Sequence, residues 1–508
     1  MLDEPRIEAK AMAMGLNATR RAVASALLAA LLLTGGCHRS KHDGEVVVLV
    51  IGDKIGLADP AAGPLTAAQA VLLSNVAQGL VRFDANGEIV PGLAERWNVS
   101  NDGLSYIFRI ASEDWPGGGR ITAKQVAALL KRQLARTSDN GIKDSFGAVE
   151  DIVAMTDRVI EIRLSAPRPN LLQLLAQPEL ALVREGRGTG PFHIAKRTGP
   201  DGGFELDRET PVPDSEEESR EDLIIAAAQV KPAIATFLAG NADLVLGGTF
   251  DTLPLASSAE VAKAALRFDP VSGLFGLVPA RKDGPLDDPE LRQLLDRAID
   301  RQAFITALGV PGLVPRATVL EAGLDGIADP LQPAWLAVPI GERRAQLIAQ
   351  ADRLFGKKER PILRIALPEG PGAKLLFDRL AADWGVLGIT LERARAGQPA
   401  DLRLVDEVAP SNSPAWFVRH FRCDEAALCG EDIDELLATA RTTLVPDQRW
   451  ALLADAARRI DEVRLFLPLT APVRWSLVSP RITGFAGNRF ARHTLVGLRE
   501  QLTSEGTQ

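Results

Sequence analysis

The run Val46-Val-Val-Leu-Val-Ile51 leaves a chain few folds to choose from. It shows no polar alternation and is dominated by β-branched residues, so it reads as a strand buried on both faces. Such a strand needs one covering layer above and another below. The rest of the sequence supplies candidates: helical patterns over 65–81, 122–134, 288–307, 342–355, 371–387, 431–441 and 446–463, with strand patterns between them at 104–110, 158–164, 362–366, 389–393 and 401–405. That alternation predicts an α/β protein with mixed sheets. Thr122 is placed as an N-cap, Asp84-Ala-Asn-Gly87 as a turn and Ala166-Pro-Arg-Pro169 as a break. The acidic stretch 205–224, with Pro211, Pro213 and the run Asp214 to Glu218, is predicted to be a solvated loop.

Residues 1–37 read as a targeting segment. Arg20-Arg21 precede the apolar run Ala22 to Leu33, which closes on Thr34-Gly-Gly-Cys37. This is a positive region, a hydrophobic region and a small-residue cleavage site. The run is shorter than the ~20 residues of a membrane-spanning helix, so a cleaved signal is expected, followed by a polar tether over 38–44. The ending resembles a bacterial lipoprotein box with Cys37 as the lipid-bearing residue. Thr34 stands where Leu, Val or Ile is usual, so plain cleavage stays open beside lipidation. Met12 and Met14 stay open as starts, because Asp3, Glu4 and Glu8 are out of place in a positive region.

Beyond the signal about 470 residues remain, more than one hydrophobic core serves, so two or three lobes are expected. The net charge is −8, and no basic stripe with interleaved aromatics offers a counter-surface to phosphates, which argues against a nucleic-acid partner. Cys423 and Cys429 are expected to form a small-loop disulfide in an oxidising compartment. A metal pair is the rival reading, and no second ligand pair completes it. The histidines are His38, His42, His193, His420 and His493, and no H-E-x-x-H, G-x-S-x-G or Walker loop occurs. Gly117-Gly-Gly119 is followed by Arg120 and lacks the Lys-Ser/Thr of a phosphate loop, so it reads as a turn. No catalytic pair stands out, and a binding protein is expected before an enzyme.

Between residues 71 and 134 a series of phrases resembles the extracellular solute-binding proteins of the oligopeptide/dipeptide/nickel class, the receptor components of ABC importers. They are Gln78-Gly-Leu-Val-Arg-Phe-Asp84, Ile89-Val-Pro-Gly-Leu-Ala-Glu-Arg-Trp97, Ser100-Asn-Asp-Gly-Leu-Ser-Tyr-Ile-Phe108 and Ile121-Thr-Ala-Lys-Gln-Val126. Gly188-Thr-Gly-Pro-Phe192, Phe237-Leu-Ala-Gly-Asn-Ala-Asp-Leu-Val245, the helix Asp287 to Arg301, Trp384-Gly-Val-Leu-Gly-Ile389 and Ile482-Thr-Gly-Phe485 follow in the family's order. Each phrase also has a plain structural reading as turn, core or helix packing, so the phrases identify a scaffold and leave the solute open.

The resemblance implies a two-lobed periplasmic-binding-protein type II fold of the α/β class, with mixed sheets and an extra subdomain inserted in the first lobe. Carried onto this chain, the first lobe takes 45–65, 166–265 and 475–508, the inserted subdomain 66–165 and the second lobe 266–474. The implied function is a lipid-anchored, extracytoplasmic, monomeric receptor. It captures a small, peptide-like solute between the lobes and hands it to ABC permease subunits, with no cofactor and no metal. Peptide-binding members carry a Trp-x-Ala-Asp-Tyr segment whose aspartate pairs with the peptide's ammonium group. Here the stretch runs Asp401 to Trp416 without that Trp and Tyr, leaving Asp406 or Glu407 as the anionic candidate. By family position Phe146, Phe275, Trp416 and Trp475 are candidate cleft walls, each with core packing as the alternative. The altered segment keeps a second reading open, a chaperone-like envelope protein on the same scaffold without transport. A third is an extracytoplasmic hydrolase.

Overall fold

The computed structural model describes residues 45–198, 203–211, 218–395 and 397–500. The signal, the tether and Cys37 lie outside these residues. Among the described residues the larger sheet has seven strands. Their spatial order is His193–Thr198, Gly203–Pro211, Glu218–Ala228, Val46–Ile51, Leu244–Thr249, Arg474–Val478 and Leu266–Phe268. Val46–Ile51 is central and runs parallel to both neighbours, while the outer pairs are antiparallel. Its residues 46–50 are all buried, as the uninterrupted apolar run requires. Val46, Val48 and Val50 pack with Ala68, Leu72 and Val76 of the helix Ala67–Val76. Val47 and Leu49 face the other way, onto Ala233 and Ile234 of the helix Val230–Leu238.

The second lobe repeats this logic around five strands, Thr390–Arg393, Ile362–Ala366, Leu402–Val408, Gly273–Pro279 and Leu467–Pro468. Along Gly273–Pro279, Phe275 and Leu277 enter one core with Leu294 and Leu376, whereas Leu274 and Val278 enter another with Phe417, Ile433 and Leu453. The first of these cores also holds Leu49 and Val245, so it continues from one lobe into the other. The inserted subdomain is a four-stranded antiparallel sheet, Ala94–Val99, Ser105–Ile110, Val159–Leu164 and Val149–Thr156. The helix Ala123–Leu134 covers it, contributing Val126 and Leu130 to the subdomain core. Thr122 accepts the Gln125 N–H at 3.3 Å and Gln125 Oε1 accepts the Thr122 N–H at 3.1 Å, a capping box that fixes where this helix starts.

Three expectations need correction. Of the acidic stretch 205–224, expected to be a loop, residues 205–211 and 218–224 are strand: Gly203–Pro211 and Glu218–Ala228 pair antiparallel at the side of the large sheet, while Pro213 and Asp214 to Glu217 lie outside the described residues. Phe204, Leu206, Leu223 and Ile225 point into the core, with the half-buried pair Arg208–Glu221 at 3.2 Å continuing that face, while the opposite face carries cross-strand charge pairs such as Lys196–Glu205 at 3.3 Å and Arg220–Glu209 at 4.0 Å. The helix expected over 288–307 is two, Pro289–Ala298 and Arg301–Leu308. Asp300 breaks the first and caps the second, accepting the Ala303 N–H at 3.0 Å. The lobe borders shift as well. Helix Ala67–Val76 packs on the large sheet and not in the insertion, and Leu266–Phe268 and Arg474 belong to that sheet. The chain therefore crosses between lobes at 269–272 and 469–473.

Candidate functional site

The carboxyl ends of the central strands open onto a cleft, where ligands of open α/β sheets bind. A cavity of about 390 Å³ lies between Leu246–Thr249 of the large sheet and Asp406–Pro410 of the second lobe. A larger one, about 730 Å³, lies between the inserted subdomain and the second lobe. Trp416 and Arg419 line both, so the two spaces adjoin. The lobes also touch directly: Asn170 Nδ2 donates to Ser411 Oγ at 2.8 Å and Gln177 Nε2 to the Pro410 carbonyl at 2.8 Å, both buried. Removing both donors in Asn170→Ala/Gln177→Ala is expected to weaken solute binding on the order of tenfold and to enlarge the unliganded protein in small-angle scattering. Each lost bond is worth about 1 kcal/mol and both hold the lobes together. Unchanged dimensions with unchanged affinity would show that these bonds do not govern the opening.

The structure brings five of the six sequence-chosen residues to this cleft. Trp416 stands on the short helix Pro414–Arg419, its ring edge-on to Phe417 and to His420. Trp475 lines the smaller cavity and donates from Nε1 to the Thr249 carbonyl at 2.9 Å. Its indole lies so close on Gly248 that a Cβ there would come within 2.2 Å of the ring, so glycine is required for the approach. Phe146 lies at the edge of the larger cavity, at the end of the turn Lys143–Phe146, with its ring in the subdomain core. Asp406 and Glu407 both line the smaller cavity. Phe275 reaches neither cavity. Strand alternation turns it inward between Phe250, 4.8 Å away edge to face, and Phe304, 6.1 Å away and stacked.

The electrostatics of the pair 406–407 differ from what the sequence suggested. Arg474 Nη1 donates to Asp406 Oδ1 at 2.8 Å and its Nη2 to the Asp406 backbone carbonyl at 3.1 Å, so this carboxylate has an internal partner. Burial raises the Asp406 pKa and Arg474 opposes that rise. Glu407 is half-exposed, with His420 Nε2 at 3.9 Å. Burial, Arg419 and Arg403 push the His420 pKa down to about 3, so the imidazole is neutral and the contact is not an ion pair. Cys423 and Cys429 are joined by a disulfide in the loop before the helix Glu431–Thr442.

Sequence reasoning missed the arginines. Arg474, 68 residues from Asp406, carried no signal beyond its place beside Trp475. Arg168, hidden in the Pro-rich break, reaches the larger cavity together with Arg441 and Arg449.

Residues 88–396 match the family described as "Bacterial extracellular solute-binding proteins, family 5 Middle". The chain is 26% identical over 482 residues to "Probable di/tripeptide-binding protein 5" of Pseudomonas aeruginosa, covering 81% of this chain and 88% of that protein. Among solved structures it is similar to Haemophilus influenzae OppA in complex with RPPGFSPFR, with TM-score 0.74, 18% identity and coverage of 90% of this chain and 99% of that one. It is also similar to AgaA of A. tumefaciens R10 in complex with agropinic acid, with TM-score 0.70, 18% identity and coverage of 91% and 99%. The latter two are likenesses of fold, and their solutes differ. With more than half of its length matched, the two-lobed fold with an inserted subdomain in place and a cleft at the sheet ends, this chain belongs to the family 5 bacterial extracellular solute-binding proteins.

Proposed function

We propose that this protein is the receptor of an ABC importer, a lipid-held monomer outside the cytoplasmic membrane. It captures a small peptide-like solute between its lobes and delivers it to permease subunits. The observation that carries the reading is the pair of adjoining cavities, the smaller at the strand ends Leu246–Thr249 with Trp416 and Trp475 on its wall, the larger between the inserted subdomain and the second lobe and sharing Trp416, bordered by hydrogen bonds that cross between the lobes. Aromatic walls give contact area at little conformational cost, and lobe-to-lobe bonds let a bound solute favour the closed form. The dipeptide- and tripeptide-binding names of its relatives support peptides as the first class to try.

The test is a thermal-shift screen of the processed chain against a library of dipeptides, tripeptides and small metabolites, with native mass spectrometry of the purified protein beside it. Ligand present at 100 times its Kd stabilises by about 2.7 kcal/mol, a readily measured shift. If nothing shifts the melting temperature and nothing co-purifies, the receptor reading fails. For the anchor, labelled palmitate should enter the wild-type protein in cells and be absent from Cys37→Ser. Equal labelling of the two would remove Cys37 as the lipid site.

A further inference from the structure

The acidic chain has a cleft of the opposite sign. On the wall of the larger cavity lysines and arginines outnumber aspartates and glutamates, although the protein as a whole carries −8. Three of these arginines converge from both sides of the cleft. Arg168 comes from the segment that returns from the inserted subdomain, and Arg441 and Arg449 come from the second-lobe helices Glu431–Thr442 and Pro446–Val463. Arg168 Nη2 donates to the Arg441 carbonyl at 3.2 Å and its Nη1 to the Pro167 carbonyl at 2.9 Å, and Arg449 Nη1 donates to that same Pro167 carbonyl. Arg449 is only 7% exposed. These bonds go to backbone carbonyls. Among the described residues no carboxylate forms an ion pair with any of the three. Burial and the nearby Arg449 and Arg441 charges pull the Arg168 pKa down to about 10, the signature of cations brought together without an anion.

The acids on the same walls are less available. Asp151 is held by Lys131 at 2.7 Å and Asp144 faces Arg419, while Asp406, which lines the adjoining smaller cavity, is held by Arg474. Asp325, partly buried, and the exposed Glu150 are the rival anchors for a cationic group.

Resting on the receptor reading above, we infer that the solute is recognised by an anionic end, carboxylate or phosphate, seated at Arg168, Arg441 and Arg449, and that a free amino group is not required. The same placement gives a reason for closure. Without solute, like charges from the two sides repel across the cleft. An anion between them turns that repulsion into attraction from both sides, so it binds the closed state better than the open one.

Calorimetric titration of the processed chain with four probes tests this. The probes are Ala-Ala-Glu, its N-acetyl form, Ala-Ala-Gln amide with a free amino group, and Ala-Ala-phosphoserine. Acetylation is expected to change the affinity of Ala-Ala-Glu less than threefold, and replacing its acids, as in the amide, to weaken binding tenfold or more. Whether the phosphoserine or the glutamate peptide binds tighter identifies the preferred anion. Arg441 is exposed and unpaired with any described carboxylate, so Arg441→Ala should fold normally and lose about tenfold for both acidic probes. The inference is overturned if acetylation abolishes binding while the amide binds as well as Ala-Ala-Glu; the receptor reading then stands, with Asp325 and Glu150 as the anchors to test. Absence of binding by all four probes also counts against it, while the wider library screen decides the receptor reading separately.

Discussion

Replacing Asp296 by alanine should lower the unfolding free energy by about 3–5 kcal/mol, because it strands buried positive charge. Asp296 lies on the helix Pro289–Ala298 with its side chain fully buried. One carboxylate oxygen pairs with Arg301, itself 1% exposed, and the other lies 3.2 Å from Arg464 Nε. Arg301 also donates to the carbonyls of Pro468 and Asp296 at 2.8 Å each, and Arg464 Nη1 donates to the Ala317 carbonyl at 2.9 Å. This one carboxylate therefore neutralises two guanidiniums that join a helix start, a strand and a long loop. Guanidinium does not escape burial by losing its proton at accessible pH, so removal of the anion leaves the cost in place. Urea unfolding of Asp296→Ala, Asp296→Asn and the double variant Asp296→Ala/Arg301→Met separates charge from packing. Asparagine keeps an acceptor and should cost less than alanine, and the double variant should recover part of the loss. Equal losses in all three would assign the effect to packing.

What could be read from the sequence was what depends on neighbours in sequence. The central strand was legible because Val46–Ile51 is apolar at every position, and only a strand covered on both faces uses such a run. The helices Ile340–Phe355, Pro371–Gly385, Glu431–Thr442 and Pro446–Val463 were legible from their periodicity. The strand pair Gly203–Pro211 and Glu218–Ala228 was not, since it holds so many carboxylates that Phe204, Leu206, Leu223 and Ile225 were outvoted. Charge count reports solvent exposure of one face and says nothing of the other. The site was less legible still. Phe275 and Trp475 are both buried in one core, and only the fold reveals that Trp475 also borders a cavity while Phe275 reaches none. The Arg474–Asp406 and Arg168–Arg441 contacts span 68 and 273 residues, beyond the reach of any local pattern.

Asp461→Asn should become more stable relative to the wild type as pH rises, the reverse of what loss of an ion pair would do. Asp461 accepts the Val319 N–H at 2.9 Å, and Arg464 Nη1 stands 3.9 Å away, too far to donate well. Burial, with smaller contributions from the Asp296 and Glu462 charges, outweighs Arg464 and pushes the Asp461 pKa from 3.8 up to about 7. Between those values the folded state holds a proton that the unfolded chain has released. The contribution of this group to stability is then full below about pH 4, declines as pH rises through that window, and is lost above about pH 7. The upper bound on the loss is about 4 kcal/mol, and partial solvent access reduces it. Asparagine keeps the acceptor for Val319 and has no proton to lose. The melting temperatures of the two proteins should lie close together at pH 5 and separate by pH 8, with the variant higher. A variant that melts below the wild type by more at pH 8 than at pH 5 would mean that Asp461 works as an ionised partner of Arg464, and that the Asp296 network extends to a second carboxylate.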